Sequence, residues 1–198
     1  MQNSKSLKRV LVFSGPTGSG ETTITKKLVE KFSNFRKLVA ATSRKMRAGE
    51  QNEIDYYFMS REEFENGIKN GNIIEYTYVE NRDTYYGSYK PDLEKKLGAG
   101  LNVIANVDIV GTKYFKENYD ATTIFIKPES IKSLRERLRK RDLSITEEEL
   151  DKRIKNAENE IRNEMNYYDY VVINADGKLE EAVEKIINIL EKENYKLS

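Results

Sequence analysis

The sequence predicts an α/β chain, a parallel β-sheet flanked by helices and interrupted once by an inserted lobe. Three observations carry this. Short apolar runs alternate with amphipathic segments, the pattern of parallel strands joined by crossover helices. A glycine-rich turn, Gly15-Pro16-Thr17-Gly18-Ser19-Gly20-Glu21-Thr22, joins the first apolar run to the first amphipathic segment. The block 42–96 breaks the alternation with a polar, tyrosine-rich stretch.

The elements follow in order. Residues 9–14 read as a buried strand. The helix that opens near Thr22 sets Ile24, Leu28, Val29 and Phe32 on one face. Residues 36–41 read as a second strand. A polar loop carrying Arg44, Arg47 and Gly49 fills 42–55, and 56–58 is a short strand. Ser60 followed by Glu63 is a capping-box pattern and predicts a helix to about Lys69. Strands at 72–79 and 85–88 flank a turn at 81–83. Helices are predicted at 92–97, 109–117, 130–141 and 179–191, and strands at 101–107, 122–126 and 169–173. A break at 142–146 ends in Thr146, the cap of a long charged helix to about Glu164.

Composition excludes several classes of function. With 34 basic and 33 acidic residues in 198, the net charge is +1, so no global field draws nucleic acid or a membrane surface. The chain lacks cysteine and histidine, which removes disulfides, thiolate metal sites and the usual general base. Met1 to Lys8 is polar without an apolar signal core, and no run of about 18 apolar residues occurs. A soluble cytoplasmic protein is expected, without membrane or nucleic-acid partners.

Chemistry concentrates in three places. In the glycine turn, Gly15, Gly20 and Thr22 match the Gly-x4-Gly-Lys-Ser/Thr phosphate-binding pattern, with Thr22 Oγ suited to Mg²⁺. Glu21 occupies the lysine position. A unit-charge pair at 4 Å is worth about 4 kcal/mol at an effective dielectric of 20, so reversing it predicts weak triphosphate binding; Glu21 is alternatively a metal ligand. Arg44, Arg47, Tyr56 and Tyr86 could converge on one phosphate, although by spacing alone a solvated basic loop is the simpler reading. Arg135, Arg137, Arg139 and Arg141, with Arg153 beyond the break, form a basic helix face from which two arginines could close over a transferring phosphoryl group.

Longer stretches carry a resemblance. Ser43-Arg44, Arg47-Ala48-Gly49-Glu50 and Asp55-Tyr56-Tyr57-Phe58 resemble the T-R-x-x-R-x-G-E and D-Y-x-F runs of the guanylate kinase family. Glu75 with Tyr85-Tyr86-Gly87-Ser88, the segment Val107 to Gly111, Phe125-Ile126 with Pro128, and Asp169 to Asn174 are similar to further family segments. The resemblance implies a P-loop kinase core (about 7–41, 97–141 and 153–195), an inserted GMP-binding lobe (about 42–96) and a short lid (about 141–153).

It further implies Mg²⁺-dependent phosphoryl transfer from ATP to GMP, giving ADP and GDP. Residues 15–20, Thr22 and Asn174 would serve the ATP side, with Arg141 and Arg153 as lid arginines. Arg44, Arg47, Tyr56 and Tyr86 would hold the GMP phosphate, and Glu75, Ser88 and Asp108 would read guanine. The implied state is a monomer or homodimer. Departures are Glu21 for Lys, Ala40 where the family often has Ser, Asn106 for a common Asp, and an altered lid after Arg141. Three readings follow: a kinase impaired by Glu21, an inactive binding module of this fold, or a kinase of another small phosphorylated substrate.

Overall fold

The computed structural model describes residues 7–198; the first six residues of the polar N-terminal stretch lie outside the described residues. The first strand, β1 (Val10–Ser14), shows why this chain makes a two-faced sheet. Leu11 and Phe13 point into one apolar cluster, Val10 and Val12 into another, and all four are buried. Side chains alternate across a strand, so a continuous apolar run is stable only where both faces are covered. Helix α1 (Glu21–Lys31) covers the first face with Ile24 and Leu28.

A short strand β2 (Phe35–Lys37) pairs with β7 (Asn102–Asn106). Strand β7 pairs with β1, β1 with β8 (Thr122–Pro128), and β8 with β9 (Tyr170–Asn174), all parallel. The five-stranded order is β2-β7-β1-β8-β9.

The single strand expected at 36–41 is two strands in two sheets. After β2 the Leu38 N–H still donates to Ile104 O (2.8 Å), but the Val39 N–H donates to the buried Asp92 carboxylate (2.9 Å). That carboxylate takes the chain out of the first sheet and into β3 (Ala40–Thr42). Strand β3 belongs to a four-stranded sheet, order β4-β3-β6-β5, with β4 (Tyr57–Phe58), β5 (Ile73–Val79) and β6 (Thr84–Tyr89). Helix α2 (Arg61–Lys69) starts at the predicted capping box, in which the Glu63 N–H donates to Ser60 Oγ and the Ser60 N–H to Glu63 Oε2. Its Phe64 is fully buried against Tyr85, with ring centroids 5.2 Å apart. Burial of one such ring is worth about 2–3 kcal/mol and pins the helix to the small sheet.

The remaining helices complete the layers. Helix α3 (Lys90–Gly98) and α4 (Ile109–Tyr119) bury Leu93 and Phe115 on the second face of the large sheet. Helix α7 (Leu179–Lys192) covers the first face with Ala182, Val183, Ile186, Ile187 and Leu190. Helices α5 (Ile131–Arg141) and α6 (Glu147–Asn163) share a cluster of their own, built on Leu134, Leu138, Leu150 and Ile154. Thr146 caps α6, its Oγ1 accepting the Glu149 N–H, and three glutamates fill the first turn where the helix dipole favours negative charge. Among the described residues no helix is long and apolar enough to cross a membrane.

Candidate active site

The glycine turn leaves β1 at the C-terminal edge of the parallel sheet, where ligands of open α/β sheets bind. Its glycines are dictated by close approach. A Cβ on Gly15 would stand 2.3 Å from Ile126 O, and one on Gly20 2.3 Å from Asn174 Nδ2, where φ is also +104°. Asn174 is buried and braces the loop, its Nδ2 donating to Ser19 O (2.8 Å), while Arg137 Nη2 donates to Asn174 O (2.7 Å). Gly18, Gly20 and Asn174 thus line one side cavity of about 290 Å³ together with Arg137 and Asp176. Pro16 is buried in the turn, its carbonyl accepting the Ser19 N–H (2.8 Å).

A second cavity, about 440 Å³, lies over the loop. Gly15, Thr17, Glu21 and Thr22 line it with Asn106, Asp108, Glu160 and Glu164. The carboxyls crowd there, and burial pushes Glu21 up to about 8, with Glu160 adding to the shift and Arg141 opposing it. Burial likewise pushes Glu160 up to about 7, reinforced by Glu164 and Asp108. The carboxyl at position 21 thus holds its proton to higher pH than an ordinary glutamate, and the loop has no cation in the lysine position.

The third cavity is a cleft of about 340 Å³ between the two sheets. Tyr56, Glu75, Tyr86, Ser88 and Asp108 line it with Thr22, Lys37, Ala40 and Thr77, while Arg44 and Arg47 of the same expected set do not. Both carboxylates are held. Ser88 Oγ donates to Glu75 Oε1 (2.5 Å), and Thr77 Oγ1 donates to Asp108 Oδ2 (3.0 Å). Asp108 Oδ1 caps α4, accepting the N–H groups of Val110 (2.9 Å) and Gly111 (3.1 Å). Burial raises the Glu75 pKa, the Ser88 hydroxyl opposes it, and the Asp108 charge adds to it. Two fixed acceptors on one wall suit a flat ligand that presents adjacent N–H donors.

At the other end Tyr56 and Tyr86 meet edge-on, ring centroids 5.9 Å apart, with the Arg44 guanidinium 5.1 Å from the Tyr56 ring centre. Arg44 is engaged bidentately by Glu50 (2.6 and 2.7 Å), and the Arg47 N–H donates to the same carboxylate (2.8 Å). The Arg44 hydrogen bonds hold Glu50 down at about 2. Arg47 itself is exposed. Arg141 and Arg153 line none of these three cavities; Arg153 is bound by Glu149 (2.5 Å) on its own helix.

Sequence reading missed Thr77, Lys37, Glu160, Glu164 and the Thr25 Oγ1 donation to Asn106 Oδ1 (3.0 Å). Only the four-residue spacing of Glu160, on α6, and Glu164, just past its end, carried a signal. Cation chemistry at the loop would be oxygen-only. Among the described residues no three carboxylates lie close enough to hold a metal ion by themselves. This fits an ion of the Mg²⁺ kind, bound through one or two protein oxygens such as Thr22 Oγ1 and completed by substrate phosphate.

A family profile described as "Guanylate kinase" matches residues 7–193. A guanylate kinase of Clostridium tetani is 41% identical over 189 residues, covering 95% of this chain and 88% of the relative. One from Caldanaerobacter subterraneus is 41% identical over 182 residues, covering 91% and 85%. The crystal structure of guanylate kinase from Anaplasma phagocytophilum superposes with a TM-score of 0.71 at 34% identity, covering 97% of this chain and 89% of that one.

Proposed function

The chain belongs to the guanylate kinase family, and from that premise we propose that it binds GMP in the cleft between the two sheets and phosphorylates it from ATP. The observation that carries this reading is the pair of anchored carboxylates. Glu75 and Asp108, fixed by Ser88 and Thr77, face a cleft that Tyr56 and Tyr86 also line, with Arg44 against the Tyr56 ring. Guanine presents neighbouring N–H donors along one edge, which adenine does not, so the carboxylates select the base. The tyrosine hydroxyls and Arg44, pre-oriented by Glu50, receive its 5′-phosphate.

The reaction asks little covalent chemistry of the protein. A phosphate oxygen of GMP attacks the γ-phosphorus of ATP, the bond to the β–γ bridging oxygen breaks, and ADP leaves. Catalysis is positioning and charge stabilisation, which agrees with a chain free of histidine. The loop N–H groups and the N-terminus of α1 would hold the donor phosphates, and Asn174 keeps that loop in shape. Mg²⁺ at Thr22 would neutralise phosphate charge. The region 42–96 is the lobe that closes on GMP, and 141–153 the lid that brings Arg141 and Arg153 to the donor.

Glu21 favours a second reading, a member that binds GMP without turning it over. One paired assay separates the two: ATP-dependent GDP formation by the chain as it stands and by Glu21→Lys. The kinase reading expects measurable turnover that the lysine raises strongly. GMP binding without turnover in both forms establishes the binding module instead. Absence of GMP binding in both removes the acceptor assignment altogether.

A further inference from the structure

Phosphoryl transfer gathers several negative charges, and this chain supplies few positive ones where they would meet. The cavity over the loop has no lysine or arginine in its lining, which includes Glu21, Asp108, Glu160 and Glu164. It shares Thr22, Asn106, Val107 and Asp108 with the acceptor cleft, so the two spaces are continuous. Across both linings, among the described residues, there is one basic side chain, Lys37.

Lys37 is the last residue of β2, at the sheet edge that opens on the loop. Its carbonyl is taken by Lys96 Nζ (2.7 Å), yet among the described residues no hydrogen bond or ion pair holds its own ammonium. Its side chain is solvent-exposed where it lines the cleft, and the charges that act on it are Asp55, on the lobe, and Lys96. Arg44, on the lobe, is already committed to Glu50 by two hydrogen bonds, and Arg47 beside it is exposed and lines neither cavity. A cleft-lining ammonium without an acceptor is a donor set for a ligand, and lysine binds phosphate as a mobile point charge.

We propose that Lys37 is a substrate-binding cation of this enzyme, contacting the acceptor's phosphate from the core side of the cleft, beside Thr22, and supplying positive charge that position 21 does not. The inference rests on the phosphoryl-transfer reading above. In it, the phosphate is gripped from two sides: Tyr56, Tyr86 and Arg44 on the lobe, Lys37 on the large sheet.

The test is calorimetric titration of GMP and of guanosine into the unaltered chain, Lys37→Met and Lys37→Arg at one salt concentration. Lys37→Met is expected to weaken GMP about 10- to 100-fold, the range of a charged hydrogen bond, and to leave guanosine within about twofold. Lys37→Arg should recover most of the loss, which a folding defect would not. Unchanged GMP affinity in Lys37→Met overturns the inference while leaving the proposed function standing. Equal losses for GMP and guanosine overturn it as well, since Lys37 would then act on the base or on the fold. If the unaltered chain binds no GMP, the proposed function falls and this inference with it.

Discussion

Replacing Glu21 by glutamine tests the unusual carboxyl of the loop through stability. In the folded chain burial holds Glu21 protonated up to about 8, whereas its ordinary value is 4.5. An acid whose pKa is raised by folding destabilises the folded state as it ionises. The unfolded chain releases its proton near 4.5, the folded chain keeps it until about 8, and stability falls across that window and is level above it. The gap corresponds to about 5 kcal/mol at about 1.4 kcal/mol per pH unit. Glu21 keeps partial contact with solvent, and screening reduces this to about 2–3 kcal/mol. Glutamine cannot ionise, so Glu21→Gln should match the unaltered chain near pH 4.5 and exceed it by about 2–3 kcal/mol at pH 8.5. Urea unfolding at pH 5, 7 and 8.5 measures this. Glu160, pushed up to about 7, adds a slope of its own, so the readout is the difference between the two chains. Parallel stability profiles would refute the burial of Glu21 as an acid. A gain for glutamine already present at pH 5 would show that packing, not ionisation, is the cause.

Three further outcomes follow from the geometry. Glu75→Ala should weaken GMP about tenfold or more and AMP little, by calorimetry, because one anchored acceptor for the guanine edge is lost; equal effects would mean Glu75 does not read the base. Asp92→Asn should destabilise the fold by about 3 kcal/mol in urea, since this buried carboxylate pairs with Lys96 and accepts from Val39 and Tyr57 at the junction of the two sheets. Gly20→Ala should lower ATP affinity at least about tenfold in a nucleotide titration while GMP affinity holds, because the new Cβ meets Asn174 Nδ2 at 2.3 Å in a left-handed conformation.

The sequence by itself determined the kind of most elements and brought the candidate site residues forward as a set. The run at 9–14 read as a buried strand, Ser60 with Glu63 as a helix start, and the glycines at 15 and 20 as a phosphate-binding turn, because these signals lie between neighbouring residues. Tyr56, Glu75, Tyr86, Ser88 and Asp108 were legible as a set through motif resemblance, and they share one cleft.

Tertiary structure alone decided the rest. Strand 36–41 divides because Asp92, 53 residues away, captures the Val39 N–H. Asp108 is fixed by Thr77, 31 residues before it, and Asn106 by Thr25. Lys37 becomes a cleft residue only when the lobe folds across β2. The loop carboxyl at position 21 reads as an ordinary glutamate in the sequence, yet burial, with Glu160 beside it, raises its pKa. Periodicity and caps are written between near neighbours in the chain, whereas desolvation and charge pairing are set by distances that exist only once remote segments have packed.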